Sequence, residues 1–137
     1  MTASQSATSA KILIVDDEPA VREFVDRALR AAGYTTTLAS DGQEGLEVAE
    51  KFGVFDLLLT DVKMPRMSGD ELARRLRQTG SHLKVLYLTS YSDRLFREKG
   101  TLWEGEAFLD KPCSKDALLQ AVSLLLFGRL PPAEPAP

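Results

Sequence analysis

Short apolar runs alternate along the chain with segments in which apolar residues recur every three or four positions. Runs of this length suit buried strands, and the longer periodic segments suit helices with one buried face. The pattern therefore predicts five strands and five helices in alternation. The predicted strands cover residues 12–15, 34–38, 55–59, 83–88 and 107–109.

The first predicted helix has the clearest period. Charged residues such as Arg22, Glu23 and Asp26 separate its apolar positions, so one face should be buried and the other solvated. The apolar positions are Val21, Phe24, Val25, Ala28 and Leu29.

Residue types that start or stop helices stand where this pattern requires them. Proline suits the first turn, a Ser or Asp side chain caps the amino end, and glycine suits the carboxyl end. The predicted starts are Pro19, Asp41 with Glu44, Ser68 with Glu71, and Ser114. The predicted stops are Gly33, Gly53 and Gly80.

Nearly unbroken apolar strands that alternate with helices are typical of a parallel sheet covered on both faces, with right-handed crossovers. We therefore predict a doubly wound α/β domain. Residues 11–127 are expected to form this domain, residues 1–10 a disordered segment, and residues 128–137 a Pro-rich flexible tail without a packed core.

Composition narrows the possible functions. The formal net charge of −3 provides no basic field for a phosphate backbone, so direct nucleic-acid binding is not expected. No apolar run is long enough to cross a bilayer, and residues 1–10 lack the features of a secretion signal, so we expect a cytoplasmic protein. The single Cys113 cannot form an internal disulfide and is expected to be a packing residue.

Polar side chains gather at the carboxyl ends of the predicted strands. In open α/β sheets ligands bind beyond these ends, so the residues there are the candidates for chemistry. They are Asp16, Asp17 and Glu18 after the first strand, Thr60 and Asp61 after the third, Thr89 and Ser90 after the fourth, and Asp110, Lys111 and Pro112 after the fifth.

Aspartates that meet at one sheet edge repel each other unless a cation joins them, and Mg²⁺ prefers carboxylate and phosphate oxygens. An Asp in such a site can attack a phosphoryl group, with Lys111 as a point charge and Thr89 as a hydroxyl donor. Each residue also has an ordinary explanation, as a helix cap or a loop residue. Their coincidence at successive strand ends favours a phosphoryl-transfer site.

Four segments resemble the motifs of response-regulator receiver domains, the CheY-like superfamily. The resemblance extends over residues 11–127. The segments are Ile12-Leu13-Ile14-Val15-Asp16-Asp17-Glu18-Pro19, Asp61-Val62-Lys63-Met64-Pro65-Arg66-Met67-Ser68-Gly69, Leu86-Tyr87-Leu88-Thr89-Ser90 and Phe108-Leu109-Asp110-Lys111-Pro112.

The resemblance implies a flavodoxin-like sheet of order 2-1-3-4-5 and an Mg²⁺ or Mn²⁺ cofactor. It implies that Asp61 is the phosphoacceptor. Asp16, Asp17, Asp61 and the backbone carbonyl of Lys63 would hold the metal, and Lys111 would bind the phosphoryl group.

The same resemblance implies residues that change conformation on phosphorylation and residues that set the lifetime of the phosphoryl group. Thr89 would move toward the phosphoryl group, and the ring of Phe108 would turn inward with it. Lys63 and Tyr91 would tune the lifetime of the phosphoryl group. The bond between Lys111 and Pro112 would be cis, which only an X-Pro bond tolerates cheaply.

The implied phosphodonor is a histidine kinase or a histidine phosphotransfer protein. Segments 87–93 and 105–112 are most similar to receivers associated with hybrid histidine kinases. The implied output or homodimer face is the surface of the fourth helix, fifth strand and fifth helix. The last predicted helix supports this, because its apolar arc, which includes Leu124 and Phe127, is wider than one buried face requires.

Three other interpretations remain. One is a receiver-like interaction module that is not phosphorylated. Another is a phosphatase of the haloacid dehalogenase type, although the Asp-x-Asp pair of such enzymes is absent after the first strand. A nucleotide or flavin binder would need a Gly-rich phosphate loop, which is also absent there. We expect a switch that assists its own phosphotransfer and dephosphorylation, not an enzyme with an external substrate.

Overall fold

The structure is a computed structural model, and it describes residues 10–78, 82–90 and 105–131. Five strands and four helices lie in this part of the chain. The fourth predicted helix falls outside these residues, so the fifth predicted helix is α4 here. The elements are β1 (Lys11–Val15), α1 (Pro19–Ala31), β2 (Thr35–Ala39), α2 (Gly42–Phe52), β3 (Leu57–Asp61), α3 (Gly69–Arg77), β4 (Lys84–Thr89), β5 (Glu106–Asp110) and α4 (Lys115–Phe127).

The strands form one parallel sheet of order β2-β1-β3-β4-β5. This confirms the predicted doubly wound, flavodoxin-like architecture. The register pairs Val15 with Thr60, Asp61 with Leu88, and Thr89 with Asp110. The carboxyl ends of β1, β3, β4 and β5 therefore lie side by side, as the sequence predicted.

A hydrophobic core lies on each face of the sheet, because alternate strand residues point to opposite faces. On one face Leu13, Leu58 and Tyr87 pack with residues of α2 and α3. On the other face Ile14, Leu59 and Leu88 pack with residues of α1 and α4. Both faces are covered, which accounts for strands that are apolar at nearly every position.

The predicted helix caps form hydrogen bonds. The side chain of Asp41 accepts from the Glu44 N–H at 2.8 Å, and that of Ser114 accepts from the Ala117 N–H at 3.0 Å. Ser68 caps α3 in the same way at 3.3 Å, and Pro19 lies in the first turn of α1. Gly33 and Gly53 have φ angles of 100° and 89°, which suit glycine beyond a helix end. Gly80 lies outside the described residues.

One residue of α1 departs from the predicted pattern. Phe24 was expected on the buried face but is 39% exposed, whereas Val25, Ala28 and Leu29 are buried. The face that α1 turns to the sheet is narrower than the apolar stripe. Phe24 lies at its edge and lines a cavity shared with Lys111 and Cys113.

No helix within residues 10–78, 82–90 and 105–131 combines the length and apolar character needed to cross a membrane. The predicted disordered segment, residues 1–10, and the predicted Pro-rich tail, residues 128–137, lie mostly outside the described residues, at positions 1–9 and 132–137.

Candidate functional site

Three carboxylates surround one ammonium group at the carboxyl edge of the sheet. Asp16 follows β1 and is 1% exposed, and Asp61 ends β3 and is 7% exposed. The Nζ atom of Lys111, just after β5, lies 3.1 Å from Asp16 Oδ2, 2.9 Å from Glu18 Oε1 and 3.1 Å from Asp61 Oδ2. The structure thus brings together residues that are far apart in the sequence, as predicted for Asp16, Asp61 and Lys111.

The loop between β1 and α1 holds Asp16 in place. The Glu18 N–H donates a hydrogen bond to Asp16 Oδ1 at 2.9 Å, and the Arg22 guanidinium donates to the Asp16 backbone carbonyl at 2.6 Å. Pro19 begins the helix directly after this turn. The carboxylate is therefore fixed by local backbone geometry before any ligand binds.

One oxygen of Asp16 remains unsatisfied. Asp16 Oδ2 is buried and accepts no hydrogen bond from the described residues, although Lys111 Nζ lies 3.1 Å away. The contact with Lys111 is an ion pair. A buried carboxylate oxygen without a donor is costly unless a cation takes it up.

Burial shapes the ionisation of the cluster. It raises the pKa of Asp61 to about 6, with Lys111 lowering that pKa and Asp16 raising it. Burial likewise raises the pKa of Asp16, partly offset by the hydrogen bond from the Glu18 backbone. Burial alone lowers the pKa of Lys111, but the hydrogen bond to Glu18 and the charges of Asp16 and Asp61 outweigh it, and that pKa is raised.

The cluster fits a hard divalent cation. Oxygen atoms of Asp16, Glu18 and Asp61 lie within 4.8 Å of one another. When all are ionised, these three carboxylates and Lys111 leave a surplus of two negative charges. Magnesium takes such oxygen ligands and retains several waters. The donor set and the unsatisfied oxygen of Asp16 both agree with such an ion.

The predicted metal set and the observed cluster overlap in part. Asp17 is exposed and lies outside the group that Asp16, Glu18 and Asp61 form, and the side chain of Lys63 is exposed as well. Glu18 was among the polar residues expected after the first strand, but it was given no role in the predicted site. The only signal for it is its position as a third consecutive acid before the first helix.

Thr89 ends β4 and is fully buried. Its hydroxyl donates to the Ser90 carbonyl at 3.2 Å, and its own carbonyl accepts from the Lys111 N–H at 2.8 Å. The end of β4 is thereby joined to the residue that carries the site's ammonium group. The peptide bond between Lys111 and Pro112 is cis, as the resemblance implied.

Phe108 lies on β5, half-buried, beside Tyr87 of β4. The two residues are paired across the strands, and their ring centroids are 5.4 Å apart at an interplanar angle of 33°. Tyr91, predicted to tune the phosphoryl lifetime, lies outside the described residues.

Gly69 sets the distance between α3 and the end of β3. Its N–H donates to the Val62 carbonyl at 2.8 Å, and a Cβ atom at this position would lie 2.0 Å from the Asp61 carbonyl oxygen. Only glycine allows this approach, so the residue secures the backbone that carries the Asp61 carboxylate.

Comparison with known proteins agrees with this geometry. The family model described as response regulator receiver domain matches residues 12–123. This chain belongs to the response regulator receiver family. The predicted family, and with it a place in two-component signalling, is therefore confirmed.

Two curated relatives show the contexts in which such a receiver occurs. Response regulator MprA of Mycobacterium ulcerans is 42% identical over 118 residues, which cover 86% of this chain and 50% of MprA. Sensor kinase CckA of Brucella abortus is 37% identical over 125 residues, which cover 90% of this chain and 13% of CckA. The chain thus spans about half the length of the MprA proteins it matches, and a smaller part of the kinase.

Two crystal structures resemble the receiver closely in fold. The receiver domain from the hybrid histidine kinase CckA has a TM-score of 0.71 and 36% identity, over 85% of this chain and 99% of that one. Response regulator TrrA from Thermotoga maritima, in complex with Mg²⁺ and BeF, has a TM-score of 0.74 and 34% identity, with the same coverage. The predicted likeness to receivers of hybrid kinases is confirmed by the CckA matches.

Proposed function

We propose that this receiver accepts a phosphoryl group on Asp61 from the phosphohistidine of a histidine kinase or a histidine phosphotransfer protein. The observation that carries the proposal is the contact of a single ammonium, Lys111, with three clustered carboxylates, one of which is Asp61. A structural ion pair needs one acid for one base. Here the surplus negative charge requires a further cation, which is what a phosphoryl-transfer site needs.

The transfer is a displacement at phosphorus. An ionised oxygen of Asp61 forms the new P–O bond, and the P–N bond to the donor imidazole breaks, so the electron pair leaves with the histidine nitrogen. Lys111 Nζ, 3.1 Å from Asp61 Oδ2, then offsets charge on the phosphoryl oxygens. Since the pKa of Asp61 is raised to about 6, the carboxylate is ready to attack only above that pH in the absence of a metal.

Asp16 and Asp61 are the residues best placed to hold Mg²⁺ or Mn²⁺, because both are buried and face Lys111. When bound, the metal would neutralise charge on the phosphoryl oxygens while the phosphoryl group is transferred. Asp17 and the Lys63 carbonyl stay predicted ligands. In this proposal Glu18 holds Lys111 at the edge of the site at 2.9 Å.

The phosphoryl group would be sensed through Thr89 and Phe108. Thr89 ends the strand beside β5, and its carbonyl is tied to Lys111, so a pull on its hydroxyl moves the ends of both strands. Phe108 then turns inward, and Lys63 and Tyr91 set how long the state lasts. The domain acts only on its own aspartate in this scheme.

The test is labelling with acetyl phosphate and Mg²⁺, followed by intact-mass measurement. The wild type should gain one phosphoryl mass, and Asp61→Asn should gain none. Asp41→Asn is the matched control, because Asn caps a helix about as well as Asp and the Asp41 side chain contacts the Glu44 N–H and Arg66. An unlabelled wild type would instead favour an interaction module that is not phosphorylated.

A further inference from the structure

A partly buried ion pair joins α3 to β5 below the site. The side chain of Glu106, at the start of β5, is 4% exposed and pairs with the guanidinium of Arg77 at the end of α3. The same guanidinium donates two hydrogen bonds to the Leu83 carbonyl, at 2.9 and 3.3 Å. Removal of Arg77 would leave the charge of the buried Glu106 carboxylate uncompensated, so the pair holds Glu106 in place.

Tyr87 links this pair to the switch. Its hydroxyl donates to Glu106 Oε2 at 3.4 Å, and its buried ring contacts the ring of Phe108. Tyr87 precedes Thr89 by two residues on β4, so both side chains point to the same face of the sheet, the face on which Phe108 lies. A continuous line of contacts therefore runs from Arg77 through Glu106 and Tyr87 to Phe108.

We propose that Arg77, Glu106 and Tyr87 are positioning residues that fix the orientation of the Phe108 ring beside Tyr87 and thereby oppose its turn in the proposed switch. The proposal rests on the proposed function, since it concerns the switch that phosphorylation of Asp61 would operate. In this scheme the three residues are not members of the phosphoacceptor cluster. They act on it through the ring of Phe108 and the strand that carries Thr89.

The direction of the effect follows from linkage. The line of contacts is complete with the Phe108 ring in the orientation described here, and a turn of Phe108 in the proposed switch must disturb the Tyr87 ring that packs on it. Contacts made only in one arrangement stabilise that arrangement, and a ligand of the other must overcome them. Loss of the Tyr87 hydroxyl should therefore make a phosphoryl analogue bind more tightly.

The experiment is a titration of the full chain with beryllium fluoride in saturating Mg²⁺, followed by two-dimensional amide NMR. Tyr87→Phe keeps the ring and removes only the hydroxyl. We expect its Kd to fall about 3- to 10-fold. Without the analogue, the amide signals of Thr89 and Phe108 should shift part of the way toward their positions in the saturated wild type, which simple loss of stability does not produce.

Tyr34→Phe is the matched control, because Tyr34 packs in the core on the opposite face of the sheet. It should leave the Kd and both signals unchanged. If Tyr87→Phe does not fold, Glu106→Gln takes its place with the same expectation. An unchanged or raised Kd overturns the proposal. A wild type that binds no analogue points instead to failure of the proposed phosphoacceptor function.

Discussion

In the proposed function Asp61 combines two conditions that oppose each other, since the carboxylate is buried and yet has to be ionised to attack phosphorus. Burial and the nearby Asp16 raise its pKa to about 6, and Lys111 offsets only part of this effect. The ionised Asp61 side chain thus lowers the free energy of unfolding of the metal-free domain at neutral pH. The site trades stability for reactivity at a single residue.

We expect Asp61→Asn to stabilise the metal-free domain. The folded-state pKa of Asp61 lies above the ordinary value of 3.8, so the folded wild type binds more protons than the unfolded chain between these values. Wild-type stability therefore falls as pH rises through this window. The variant should be about 1–3 kcal/mol more stable at about pH 8.

The measurement is urea unfolding with a chelator present at about pH 8 and about pH 4, since the penalty becomes small as the pH approaches the ordinary pKa of 3.8. The gain from Asp61→Asn should nearly vanish at the lower pH. Asp70→Asn, at an exposed aspartate in the first turn of α3, should show no such gain. Equal stability of wild type and Asp61→Asn at both pH values would contradict the electrostatic account.

Among the elements, α3 has the most demanding placement, because its first residue meets the end of β3 backbone to backbone. A Cβ at Gly69 would lie 2.0 Å from the Asp61 carbonyl oxygen, which no rotamer change can relieve. We expect Gly69→Ala to lower the free energy of unfolding by about 1–3 kcal/mol. It should also slow labelling of Asp61 by acetyl phosphate, because the backbone that carries the carboxylate must move.

Gly45→Ala is the control for this prediction. Gly45 is buried in α2, but its added Cβ would meet only side chains, the nearest being Val15 Cγ2 at 3.3 Å. Its labelling rate should stay close to that of the wild type, and chemical denaturation supplies the stability comparison. If Gly69→Ala labels at the wild-type rate, the contact does not position Asp61.

The elements also show where the sequence pattern was sufficient. Caps at Asp41, Ser68 and Ser114 were predicted and observed, because a cap depends on a few neighbouring residues. The third strand was predicted over residues 55–59, whereas β3 is Leu57–Asp61. Phe55 is buried without being in the strand, and polar Thr60 and Asp61 belong to it because they pair with β4.

The candidate site was likewise predictable from the sequence only in part. Convergence of Asp16, Asp61 and Lys111 was predictable, because parallel strands place their carboxyl ends at one edge. The contact of Glu18 with Lys111 was not, since it depends on how an exposed side chain folds back from the start of α1. Tertiary contacts of this kind leave no periodic signal in the chain.

For the molecule as a whole, β5 connects the reactive edge to a surface. Lys111 follows β5 directly, and Ser114 caps α4 three residues later. In the proposed function, a shift of Lys111 on phosphorylation would therefore pass along a short segment to the start of α4. The far part of that helix exposes Leu124 and Phe127, at 49% and 41%, while Leu118 and Val122 are buried in the core.

An exposed apolar pair on a helix that starts beside the reactive site suits contact with a second copy of the receiver. We expect Leu124→Glu and Phe127→Glu to weaken self-association at least about 10-fold, because each would bury a charge in the contact. Light scattering, with and without beryllium fluoride and Mg²⁺, measures this. Phe52→Glu, at an exposed phenylalanine of α2 in the described structure, should leave association unchanged. If all three variants associate like the wild type, the end of α4 is not the contact face, and the predicted homodimer must form elsewhere or not at all.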